Sequence, residues 1–148
     1  MSLVEDKNAL LGRFADAWEP ATASIAADLN QADIPYFIEN YPAEEKPEGV
    51  FARLLVRPNE IYHRAGGSDN PLMGRNGHVT VQICVPSAIG IDTAYQLADA
   101  ARGIFHMWCS DDYSLRCEDS DLKVDQPLPK DPYYTVKLRT AYTSLKHG

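Results

Sequence analysis

The chain has 148 residues, 45% of them apolar and 24% charged, values that suit one globular domain and exclude disordered and collagen-like chains. Fourteen basic and twenty-one acidic side chains leave a formal charge of −7, which opposes a polyanionic partner unless the basic residues are gathered on one face. No apolar stretch approaches the roughly 18 residues of a membrane span, the N-terminus is acidic where a signal peptide would be basic, and three cysteines without a C-x-x-C pair exclude a stapled secreted scaffold. These features predict a cytosolic product with free thiols.

From Asp6, the apolar positions Leu10, Leu11, Phe14, Ala17 and Trp18 recur at helical spacing until Pro20 interrupts, and Ile25 and Leu29 carry a second helical piece. Ile34 to Ile38 predicts a short strand, and the proline- and glutamate-rich 42–49 stretch a surface loop. Val50 to Tyr62 reads as extended chain. Ala52, Leu54 and Val56 fall on one side and Phe51, Arg53, Leu55 and Arg57 on the other, until Pro58 limits the ladder. The glycine-rich run from His63 to Asn76 exceeds the roughly two to five residues of a hairpin turn and predicts a projecting, mobile loop at about 63–76.

Val79, Val81, Ile83 and Val85 alternate with His78, Thr80, Gln82 and Cys84, the period of a strand with one face on a core, which favours an antiparallel sheet. Pro86 to Gly90 forms a turn. A helical stripe follows through Ala94, Leu97, Ala98, Ala101, Ile104, Phe105 and Trp108, with Asp92 or Thr93 as cap and Thr93-x-x-Gln96 as a capping box. The tail predicts strands at Tyr113–Cys117 and Leu122–Val124 separated by a turn, then a final strand from Tyr133 to about Tyr142. No internal repeat interrupts this single domain, 1–148.

The strand–turn–helix junction at Pro86 lacks the glycines of a phosphate cradle, Pro86 removes a donor, and Asp92 repels an anion, so the corner reads as structural. His106 and Cys109, with Cys117 downstream, offer the three ligands of a catalytic zinc; the plainer alternative has Trp108 and Cys109 finishing a buried helix face. His78 and Cys84 share a strand side yet stand about 20 Å apart at strand rise, too far for a dyad. Asp111-Asp112 and the 118–121 acids lack the glycine and terminal glutamate of an EF-hand. No catalytic residue, cofactor or metal is assigned. The remaining cluster is Arg53, Arg57, Arg64 and Arg75 around the long loop, with Met73 inside it. It reads either as a solvated hairpin edge or as an oligomer and partner interface.

The short strand near Ile34, the Phe51–Arg57 strand, the glycine-rich insertion, the passage GHVTVQICVPSAIGIDTAYQLADAARGIF and the closing YYTVKLRTAY together resemble phage tail-terminator proteins, the minor tail protein U-like or tail completion proteins. The resemblance spans roughly Ile34 to Tyr142 and departs in the 42–49 and 111–121 segments. It implies an α+β domain with a mixed, mostly antiparallel sheet and helices packed on one face. It also implies a structural protein without enzymatic activity that assembles as a ring, commonly of six copies, in the virion tail after synthesis in the host cytoplasm. The implied partners are the protein itself, the major tail tube protein and a head–tail connector or neck protein; the acid excess adds the expectation that DNA passes through the ring without specific binding. A neck or connector component is the alternative within the same context, and a small-molecule or zinc-binding domain using His106, Cys109 and Cys117 the alternative outside it.

Overall fold

Strands with one apolar face need a layer to cover it, and two helices supply that layer. The computed structural model describes residues 3–38, 49–65, 72–125 and 133–147. In chain order the elements are α1 (Leu3–Asp28), β1 (Tyr36–Ile38), β2 (Phe51–Ala65), β3 (Leu72–Pro86), α2 (Ile91–Phe105), β4 (Leu115–Asp125) and β5 (Tyr133–His147). The strands form one five-stranded sheet in the order β1-β2-β3-β5-β4. β1 runs parallel to β2 and the other pairings are antiparallel. The fold is α+β, and both helices pack on one side of the mixed sheet.

That side is set by side-chain parity. Ala52 and Leu54 of β2, Val79, Val81, Ile83 and Val85 of β3, and Val136 and Leu138 of β5 are buried against the helices. α2 answers with Ala94, Leu97, Ala98, Ala101, Ile104 and Phe105, its apolar stripe at helical spacing. α1 presents Leu10, Phe14, Trp18, Thr22 and Ala26, one residue per turn. Phe14 stacks on Trp18 with ring centroids 4.8 Å apart and lies 6.0 Å from Phe105, which ties the two helices together. The indole N–H of Trp18 donates to the Ile34 carbonyl at 2.8 Å, so this large buried side chain keeps its polar atom satisfied.

Several expected boundaries are corrected. α1 is a single helix that runs through Pro20. Pro20 points outward, and the buried positions Trp18 and Thr22 continue the core face on either side of it. β2 likewise passes Pro58, where the register shifts between Pro58 and Glu60, and continues to Ala65. Residues 63–65 and 72–76, expected in a loop, are strand, with Ala65 opposite Leu72; residues 66–71 lie outside the described residues. Much of the long connection is therefore a hairpin arm, with a register shift between His63 and Ala65. The two expected strands before the last are one strand, β4, with a register shift between Cys117 and Ser120 in place of the turn. β5 reaches His147, five residues past the expected end. The helical stripe ends at Phe105, so Trp108 falls beyond α2, half-buried against the core. The 42–48 part of the expected acidic loop lies outside the described residues.

The corner before α2 behaves as a turn, with the Ile89 N–H donating to the Pro86 carbonyl at 2.9 Å. Gly90 takes the N-cap position at φ 99°, a conformation that favours glycine, and no side chain caps the helix. Asp92 and Thr93 sit inside the first turn, so the expected capping box does not form; Asp92 instead lies where a carboxylate favours the helix dipole.

Candidate partner interface on the open face of the sheet

The same parity that buries Val79, Val81 and Ile83 turns His78, Thr80 and Gln82 to the opposite face, which no helix among the described residues covers. Register then decides which residues meet there. Arg53 lies opposite Gln82, Leu55 opposite Thr80 and Arg57 opposite His78. On the other flank of β3, Gln82 faces Lys137 and Thr80 faces Arg139. One strand further out, Lys137 faces Lys123 and Arg139 faces Asp121. Together these side chains line a shallow groove of about 560 Å³, bounded by Leu55, Arg57, His78, Thr80, Gln82, Asp121, Lys123, Lys137 and Arg139.

Among the described residues the groove holds four permanent cations against one carboxylate, in a chain whose formal charge is −7. Lys123 stands directly across from Lys137, so two like charges share this stretch of the face. A guanidinium nitrogen of Arg139 stands 3.0 Å from Nε2 and 3.3 Å from Nδ1 of His78. Burial first, and then the Arg139 charge, hold the His78 imidazole below its ordinary range, which favours the neutral ring. Arg53 stands at the rim with its guanidinium 6.0 Å from the Phe51 ring centroid.

The predicted interface residues divide. Arg53 and Arg57 lie on this face, exposed. Arg75 does not: it points to the helix side and is only 4% exposed. Its Nε donates to Asp6 Oδ2 at 2.6 Å, and a terminal nitrogen reaches Asp6 Oδ1 at 3.1 Å and the Ser144 hydroxyl at 3.2 Å. The hydrogen bond to Asp6 holds Arg75 above the usual guanidinium range and fastens the first turn of α1 to β3 and β5. Met73 shares the parity of Arg75 and is half-buried. The side chain of Arg64 lies outside the described residues. Arg75 and Met73 thus do not share the face of Arg53 and Arg57, which carries His78, Lys123, Lys137 and Arg139 beside them.

The zinc alternative finds no common site. His106 Nδ1 sits 2.9 Å from Asp119 Oδ1, with Arg102 3.6 Å from the same oxygen. Asp119 is held below the usual carboxylate range, chiefly by the Ser120 N–H that donates to it. Burial pushes the Cys117 thiol up to about 12, which keeps it protonated. Among the described residues no group of three or more His, Cys, Asp or Glu side chains is placed to hold a metal ion. No helix among them is long and apolar enough to cross a membrane.

No family model matches the sequence, and no curated protein matches it either. A solved structure whose name states no function is similar over 90% of this chain and 94% of its own, with a TM-score of 0.52 and 21% identity. A likeness at that identity shows a shared fold.

Proposed function

We propose that this chain is a structural phage protein that forms a ring at the head-proximal end of the tail tube, ends tail polymerisation and offers the head-joining surface. The single observation that carries the reading is the uncovered face of the sheet. Two helices close one side of the core, whereas the other side presents half-buried Leu55, Thr80 and Gln82 ringed by cations. A sheet face of that kind suits a macromolecular contact, because it is broad and shallow and gathers one sign of charge. The α+β architecture and the order of segments support the resemblance to tail-terminator proteins.

On this reading the work of the protein is done by surfaces. Its partners are its own copies, the major tail tube protein and a head–tail connector, and DNA passes through the ring without specific binding. A closed ring of head-to-tail contacts has two different faces, so one can seat on a tube while the other refuses a further layer of tube subunits. The protein has no catalytic role and resides in the virion tail. Mass measurement of the purified chain, followed by electron microscopy with tail tubes, tests the proposal: closed rings that cap one tube end are expected.

A further inference from the structure

We infer that the open face of the sheet takes the acidic helix layer of a second copy, head to tail. The inference rests on the ring-forming reading above and supplies the contact that would close such a ring. Its starting point is a separation of charge through the thickness of the molecule. On one side, Arg57, Lys123, Lys137 and Arg139 share a groove with Asp121, its one carboxylate among the described residues. On the other side, the exposed charges of α1 and α2 are the carboxylates Glu5, Asp16, Glu19, Asp28, Asp92 and Asp99 against the cations Lys7 and Arg102. Six against two, or six against three once half-buried Arg13 is counted, leaves the helix layer at −4 or −3, opposite a groove that is positive.

A slab charged in this way constrains how copies meet. A two-fold contact through the sheet would set cations on cations, and one through the helices carboxylates on carboxylates. Head-to-tail stacking sets each face against its complement, and it is the contact type that closes into a ring when the rotation between copies completes a circle. Local relief agrees. The outward side of α1 carries the small residues Gly12, Ala15 and Ala23 beside Asp16 and Glu19, so its carboxylates stand above a low ridge. The floor of the groove is uncharged Leu55, Thr80 and Gln82. Duplex DNA could occupy the same cations, but it would leave the helix layer unanswered, whereas a second copy satisfies both faces at once.

Charge reversal on each face, followed by reversal of both, tests the contact in the full chain. Lys137→Glu with Arg139→Glu, or Asp16→Lys with Glu19→Lys, should each weaken self-association by about a hundredfold, because both place like charges across the interface. The fourfold variant restores opposite charges and should recover the wild-type mass. All sites are on exposed or half-buried surface, and circular dichroism verifies that each variant folds. Wild-type association should also weaken as salt shortens the screening length from about 30 Å at 0.01 M to about 3 Å at 1 M. Rings unchanged in every variant would overturn the inference and leave the ring-forming reading standing. A wild-type chain that is monomeric at all salt concentrations and fails to cap tail tubes would overturn both. Salt-sensitive retention of duplex DNA by a monomer, lost on Lys137→Glu with Arg139→Glu, would assign the face to nucleic acid and overturn the inference.

Discussion

Asp6 and Arg75 are separated by 69 positions in sequence, yet they form a buried, two-pronged ion pair that fixes where α1 begins on the sheet. Arg75→Ala would leave the Asp6 carboxylate, 2% exposed, without its counter-charge. Breaking a buried pair from one side costs about 3–5 kcal/mol, so urea unfolding should show a loss of that size, and Asp6→Leu combined with Arg75→Met should recover most of it. A loss below about 1 kcal/mol for Arg75→Ala would mean the pair is solvated, as surface pairs are. His78 makes a pH-dependent contribution. Its folded-state pKa lies below the ordinary histidine value of 6.5, so the unfolded chain binds the proton more readily. Its contribution to stability is therefore present above about pH 6.5 and is lost as pH falls toward the lower folded value. Denaturant midpoints across that window should fall less steeply for His78→Gln than for the parent. Identical slopes would show that the imidazole is not perturbed.

At the scale of elements, what was readable followed from period, and what was missed followed from pairing. The Val79–Val85 alternation and the α2 stripe announced their elements because each buries one face against the other. The core-side position of Arg75 is masked in the sequence for a local reason. Counting back by twos from Val79 puts Gly77 and Arg75 on the core side, but Gly74 and Gly77 made the segment look like loop. Gly77 is in fact demanded by the strand: a Cβ there would run into the Arg57 carbonyl oxygen and stand 2.8 Å from the Tyr142 hydroxyl. Gly77→Ala should accordingly destabilise the protein by about 1–3 kcal/mol, the usual range for overpacking. A thermal melt equal to the parent's would show that β2 moves aside at no cost. Lys137 and Arg139 alternated visibly with Val136 and Leu138 in YYTVKLRTAY. Their meeting with Arg57 and Lys123 was hidden, because it depends on β5 inserting between β3 and β4, an order that no local pattern encodes. The bulge that merges two expected strands into β4 was hidden for the same reason, since a shift in register exists only relative to a partner.

As a whole, the described residues form a slab with helices and excess acid on one side and, on the other, a sheet face that no described helix covers, with gathered cations. That polarity explains how a chain of −7 can still hold a positive surface. It also favours unlike faces meeting, which generates closed rings or open filaments and not two-fold dimers. The proposed ring at the end of the tail tube is the closed case, in which capping needs only a contact that completes its circle and two rims that differ. Electron microscopy of the purified protein mixed with tail tubes tests this most directly. A single closed ring on one end of each tube, with elongation halted, is the predicted result. Tubes that stay bare and keep growing beside a monomeric protein would contradict it.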